Sequence, residues 1–265
     1  MDTTHPTWAD LLERAISEPG IVSGAYSAFW NYSLGNQLLA LGQCHERGIQ
    51  PGPLSTFNGW KDKGRHVRKG ERALTLCMPI TVKRQPDGAI DTESVEPGVF
   101  TTFVYRPRWF LLAQTDGAAY APAGVPGWDR ARALTVLNIT EEPFSMFSGN
   151  VQGYARERTI AISPIAAMPE KTTFHEIAHV ALGHTLEHEQ ADGEHTPRSL
   201  REVEAEAVAM LVCAALDLPG IEYCRGYIQA WNRTGEAIPE RSAQRVFKVA
   251  DQILRAGQAA GDVAS

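Results

Sequence analysis

The pentapeptide His175-Glu-Ile-Ala-His179 constrains this chain more than any other stretch. On a helix, residues four apart share a face, so the two imidazoles can reach one metal ion. Imidazole nitrogen suits Zn²⁺ at about 2.0–2.1 Å. Glu176, one step round the helix, is placed to take a proton from a metal-bound water. The flanking sequence reads as helix. Pro169 and Glu170 suit a first turn. Phe174, Ile177, Ala178, Ala181 and Leu182 recur at spacings of three and four, and Gly183 suits a helix end. The bland alternative is a pair of surface histidines on an amphipathic helix.

A third ligand is expected from Arg201-Glu-Val-Glu-Ala-Glu206, which runs into Ala207-Val-Ala-Met-Leu-Val212. This reads as a second helix with Pro197, Ser199 and Leu200 at its start. Glu202 and Glu206 share a face, and Glu204 points elsewhere. A carboxylate in an Ala/Val/Leu helix needs a partner, because burying it alone is costly. Glu202 is therefore assigned as the third zinc ligand. Glu206 is expected to hold His175 or His179 by its second ring nitrogen, and Glu204 is the fallback ligand. The competing reading is a solvated acidic face that the helix dipole would favour.

At 265 residues the chain has room for one large domain or two modest ones, and 43% hydrophobic content is ordinary for a globular protein. A net charge of −6 excludes a global basic field. Cys44, Cys77, Cys213 and Cys224 form no C-x-x-C pair. Reduced, buried thiols in a cytoplasmic protein are the expectation. No basic-then-apolar leader and no apolar run of about 18–20 residues is found, so no membrane partner is expected.

Residues 7–18 read as an amphipathic helix with Trp8, Leu11, Leu12, Ala15 and Ile16 as its stripe, ended by Pro19-Gly20. A second helix is expected from about Asn31 to Arg47. The rings between Ala25 and Ser33 are read as core. From Thr56 to Arg84 the chain carries Lys61, Lys63, Arg65, Arg68, Lys69, Arg72, Lys83 and Arg84 against Asp62 and Glu71. Lys69-Gly70 reads as a turn between two strands, Ala73–Val82 as a strand with Pro79 at an edge or bulge, 85–98 as a loop, and Val99–Leu112 as further strand. Phe57, Trp60 and Tyr105 among arginines and lysines suit a surface that stacks on bases and follows phosphates, although a solvated sheet face gives the same pattern. Gly117–Gly127 is the expected linker. Arg130–Leu137 is read as helix or strand. Val151–Ala155 and Thr159–Ser163 are short strands, beside which a peptide could pair edge-on. His184, His188 and His195 are assigned to a solvated loop, and 223–231 and 242–254 to packing helices.

Taken together, these residues resemble the ArdC-type antirestriction proteins. The resemblance is carried by Tyr32-Ser33 with Asn36-Gln-Leu-Leu39, by Thr56-Phe-Asn-Gly-Trp60 with Gly64-Arg-His-Val-Arg-Lys-Gly-Glu71, and by Trp109-Phe with Gln114-Thr115. It is also carried by His175–His179 with Glu202 and Ala205-Glu206. It implies an α+β architecture: an N-terminal α+β domain, residues 1–122, that binds single-stranded DNA, then a mainly helical zincin-like metallopeptidase domain, residues 123–265. The implied DNA residues are Phe57, Trp60, Lys61, Lys63, Arg65, Arg68, Lys69 and Arg72. The implied cofactor is Zn²⁺, and the partners are single-stranded DNA and an unidentified protein substrate. Val180-Ala-Leu-Gly-His184 departs from the family pattern and is closer to ImmA/IrrE-type metallopeptidases. Two alternatives therefore stand beside the zinc peptidase reading. One is a regulatory protease whose N-terminal domain binds protein. The other is a DNA-binding module with a purely structural zinc site.

Overall fold

The computed structural model describes residues 5–83, 99–146, 150–186, 197–233, 235 and 237–259. Arg84, the expected loop at 85–98, His188, His195 and the last six residues lie outside that set, as do the side chains of 81–83 and 99–101. The elements run α1 (Trp8–Ser17), α2 (Ile21–Phe29), α3 (Leu34–Arg47), β1 (Leu54–Thr56), α4 (Phe57–Asp62), β2 (Arg65–Val67), β3 (Leu74–Lys83), β4 (Val99–Leu111) and β5 (Thr115–Gly117). They continue α5 (Arg130–Val136), β6 (Thr140–Glu141), β7 (Gly153–Arg156), β8 (Thr159–Ile162), α6 (Pro169–Ala181), α7 (Arg198–Ala215), α8 (Ile221–Asn232) and α9 (Glu240–Gly257). Helix and strand are mixed, as expected. None of the described helices is long and apolar enough to cross a membrane.

Two compact units divide the chain: residues 1–38 with 123–265, and residues 39–122. The boundary at 122/123 falls in the expected linker, but the first 38 residues cluster with the C-terminal unit rather than with 39–122. The reason lies in what α1 and α2 bury. Leu11, Leu12, Ala15 and Ile16 form the α1 stripe. The Ile16 carbonyl accepts from Arg225 Nε of α8 at 2.5 Å, and Trp8 packs on Phe247 of α9 with ring centroids 5.7 Å apart. The Glu240 carboxylate takes the first free N–H groups of α1, at 3.2 Å from Trp8 and 2.8 Å from Ala9, where helix polarity favours an anion. Tyr26 of α2 accepts from Gln258 at 2.9 Å. A stripe periodicity reveals that a helix has a buried face but not which face it meets.

Helix α7 is the axis of this first unit. Every residue from Val203 to Ala215 is buried, the pattern of a helix enclosed on all sides. α6 packs along it, with β7 and β8 on the other flank of α6. The small sheet has the order β6-β8-β7, with β6 parallel and β7 antiparallel to β8. Trp128 is wedged against both α9 and the metal-motif helix. Its Nε1 donates to the Ile253 carbonyl at 3.0 Å and its ring meets Phe174 edge-on at 5.1 Å.

In the unit of residues 39–122 the antiparallel sheet has the order β1-β4-β3, which puts Pro79 on the edge strand β3, and among the described residues β2 pairs only with β5. Lys69-Gly70 is thus the expected turn between two strands, β2 and β3, which do not pair with each other. The buried amide of Gln114 holds that connection, donating to Glu71 Oε2 and the Arg72 carbonyl at 3.0 Å each. All four cysteines are free and buried. Burial pushes the Cys44 thiol up to about 11 and that of Cys213 to about 12.

An alanine Cβ at position 257 would lie 2.2 Å from Trp128 Nε1. Gly257→Ala is therefore expected to destabilise the protein by about 1–3 kcal/mol through overpacking. A fall in the urea midpoint at unchanged slope is the readout; an unchanged midpoint would show that Trp128 is free to move.

Candidate metal centre

Helix α6 presents His175 and His179 one turn apart, and α7 brings Glu202 opposite them. His175 Nε2 and His179 Nε2 lie 3.1 Å apart. Glu202 Oε2 lies 3.5 Å from the first and 3.6 Å from the second. Two ligands each 2.0–2.1 Å from a tetrahedral ion are about 3.3–3.4 Å apart, so this triangle has the size of one face of a zinc-type site. Each of the three atoms can present a lone pair, the two histidine nitrogens when their protons sit on Nδ1, and three such lone pairs this close repel unless a cation or shared protons lie between them. The donor set therefore fits a divalent ion. Among the described residues this is the one group of three His, Cys, Asp or Glu side chains that could hold a metal.

The site has an open side. The His175 and His179 side chains are 14% exposed and that of Glu202 is 34% exposed. The two imidazoles hold the Glu202 carboxyl well below the usual carboxylate range. Glu176 is 7% exposed. Burial raises its pKa, against the pull of His175 and His179, and a cation bound beside it would draw it back down. Strand β7 reaches Glu176 because Gly153 has no side chain. A Cβ there would lie 2.8 Å from Thr172 Cγ2 and 3.0 Å from Glu176 Oε1.

The other two acids of α7 face different partners. Glu206 accepts from Lys171 Nζ of α6, and its Oε1 lies 3.4 Å from His175 Nδ1. It thus stands beside the ring nitrogen expected, but its hydrogen bond goes to a buried lysine. Glu204, the fallback ligand, is fully buried and sits 2.9 Å from His184 Nε2, too occupied to serve the metal triangle. His184 corrects the solvated-loop expectation. Its side chain is 5% exposed, its Nδ1 lies 3.1 Å from His179 Nδ1, and burial lowers its pKa. Lys171 and His184 were missed by spacing arguments. The one sequence signal for His184 is Gly183, whose positive φ of 77° reverses the chain at the end of α6.

The eight residues proposed from sequence for DNA contact separate into two groups. Trp60 is completely buried, donating from Nε1 to the Phe110 carbonyl at 2.7 Å and meeting Tyr120 edge-on at 5.3 Å; it has no face to offer a base. Arg65 is folded onto the carbonyls of Thr115, Gly117 and Ala118, stitching β2 to β5. Arg68 is shared between Glu71, the Ala113 carbonyl and Asp116. Phe57, by contrast, is 53% exposed and stands one helical turn from exposed Lys61. Lys63, Lys69 and Arg72 are exposed as well. Phe103 on β4 is 59% exposed, a ring that sequence reasoning passed over because strand alternation does not say which face is covered.

Comparison with known proteins adds the following. The sequence profile of the N-terminal domain of anti-restriction factor ArdC matches residues 16–103. The metal-free crystal structure of the antirestriction ArdC protein from R388 plasmid superposes with a TM-score of 0.52 at 21% identity, over 97% of this chain and 98% of that one. The Mn(II)-bound structure of the same protein gives 0.49 at 20% identity, over 96% and 98%. No curated protein sequence matches the chain.

The two aromatic residues of α4 make opposite predictions for stability. Trp60→Ala is expected to cost about 3–5 kcal/mol, and Phe57→Ala to stay within about 0.5 kcal/mol of the parent in chemical denaturation. A large loss from Phe57→Ala would mean that its ring is covered in solution.

Proposed function

Starting from an ArdC-like chain with an ArdC-type N-terminal domain at residues 16–103, we propose a single-stranded-DNA-binding, metal-dependent peptidase of the antirestriction type. The observation that carries the catalytic half is the convergence of His175 Nε2, His179 Nε2 and Glu202 Oε2 on one point beside the buried carboxyl of Glu176. His175, His179 and Glu202 would hold the ion, with zinc the best match for two imidazoles and a carboxylate. Bound there, the ion would supply Lewis acidity and a water acidic enough to act as nucleophile near neutral pH. Glu176 accepts the proton of that water and delivers it to the leaving amine. Its burial keeps competing solvent away and makes it a stronger base than an exposed glutamate. The free edge of β7, held against Glu176 through Gly153, would align an extended peptide by strand addition.

Glu176→Gln in the full-length protein is expected to retain one equivalent of zinc while losing hydrolysis of labelled casein by about 10²- to 10⁴-fold. Undiminished cleavage by this variant sinks the general-base role. An inactive parent, loaded with zinc or with manganese, sinks the peptidase reading and leaves a structural metal.

For the DNA half, the support is an exposed aromatic face with cations around it: Phe57 and Lys61 on α4, with Lys63, Lys69 and Arg72 nearby in sequence. Rings stack on any base and lysines follow phosphates without reading sequence. The full-length protein is expected to bind a labelled oligonucleotide more tightly as a single strand than as a duplex, and to weaken linearly in log–log with salt. Phe57→Ala should weaken binding by about 5- to 150-fold, the worth of one stacked base. Equal affinity for both DNA forms, or no effect of Phe57→Ala, counts against the stacking surface.

A further inference from the structure

We infer that His184 and Glu204 fix the tautomer of His179 through a two-step hydrogen-bond relay, making them positioning residues for the metal centre. The inference rests on the reading of His175, His179 and Glu202 as ligands. It begins with the way α6 ends. With Gly183 at a φ of 77°, the His184 N–H donates to the His179 carbonyl at 2.9 Å and the Gly183 N–H to the Val180 carbonyl at 3.1 Å. This pair of bonds is a Schellman closure, which turns the residue after the glycine back over the last turn. His184 is thereby carried onto His179, with the two Nδ1 atoms 3.1 Å apart. Its Nε2 reaches Glu204 Oε2 at 2.9 Å, and Arg245 Nη1 of α9 stands 3.5 Å from the other oxygen, Oε1. Arg201 Nη1 donates to the His184 carbonyl at 3.4 Å, fixing the backbone.

The direction of the protons follows from Glu204. Beside Arg245 it is a carboxylate, an acceptor only, so His184 must present N–H at Nε2. A neutral imidazole protonated at Nε2 has a bare lone pair at Nδ1. The 3.1 Å contact then requires His179 to donate from its own Nδ1, which leaves His179 Nε2 bare and aimed at the metal triangle. With His184 neutral, each link runs in this one sense, and the last is the one a metal needs. His175 has no such relay. Its Nδ1 makes no hydrogen bond among the described residues, and the nearby Glu206 oxygen takes the Lys171 ammonium instead. The two ligand histidines are therefore held by different means, and the His179 side depends on a residue from outside the H-E-x-x-H motif.

The test has two parts. In the metal-free full-length protein with ¹⁵N-labelled histidine, two-bond proton–nitrogen correlations should place the proton of His179 on Nδ1 and that of His184 on Nε2. A proton on His179 Nε2 overturns the relay, and this readout needs no variant. Zinc affinity is then measured by chelator competition for the parent, His184→Asn and His184→Gln. Asparagine can keep an acceptor where Nδ1 was; glutamine keeps a donor where Nε2 was, contacting Glu204 but offering His179 nothing. His184→Gln should lose about 10- to 100-fold in affinity, and His184→Asn should lose less. The reverse order would show His184 serving only to pair Glu204, and equal affinities in all three would show no role; either overturns the proposal. A parent that takes up no zinc refutes the ligand reading itself, a result separate from the order of the variants.

Discussion

Two carboxylates buried in the Ala/Val-rich helix α7 set the arrangement around it. Glu204 is 0% exposed and Glu206 5%. Unpaired, each would cost several kcal/mol, so the surrounding elements must deliver partners. α6 delivers Lys171 to Glu206, the turn after α6 delivers His184 to Glu204, and α9 delivers Arg245. These are separate pieces of chain, from residues 171 to 245, all keyed to two side chains two positions apart. Apolar packing alone would let α6 slide or rotate against α7. The polar pairs set one register, and that register brings Glu202 to the face of α6 that carries both histidines.

Much of this centre was legible in the sequence because it obeys helical periodicity. His175 and His179 at i and i+4, and Glu202 with Glu206 on one face of the next helix, follow from 3.6 residues per turn. The orientation of Glu204 away from that face followed from the same rule. What stayed hidden was everything that depends on a second element. Lys171 is an ordinary first-turn lysine until Glu206 is placed opposite it. His184 sits among charged residues that read as solvent-facing, and only a left-handed glycine turns it inward. The grouping of residues 1–38 with the C-terminal unit is of the same kind, since nothing in an α1 stripe names Phe247 or Arg225 as its cover.

The second unit shows the converse error. Composition marked a cluster of eight rings and cations, and the fold uses three of them internally. Trp60 is the fully buried centre of α4 packing, and Arg65 satisfies three backbone carbonyls where β2 meets β5. Both are large side chains that a short, sparsely paired piece of structure needs for its own stability. On α4 the side chains left outside include Phe57 and Lys61, one turn apart, while Trp60 points inward. An i, i+3, i+4 count over six residues is too short to decide which side of α4 faces inward. A functional reading of such clusters has to wait until internal obligations are subtracted.

The distribution of countercharge across the metal centre is uneven in an informative way. The two deep carboxylates, Glu204 and Glu206, each have a cationic side chain from the protein: Arg245 and Lys171. Glu176 and the more exposed Glu202 have no lysine or arginine ion pair among the described residues. Their close neighbours are the imidazoles of His175 and His179. A fold that neutralises its interior acids with its own cations, yet leaves an acid pair beside two converging imidazoles without one, has left a place for positive charge from solvent. The same asymmetry separates the roles of the four acids. Those with protein cations, Glu204 and Glu206, hold helices and histidines in place. Those without are left for the exchanges proposed above, Glu202 with an ion and Glu176 with a proton.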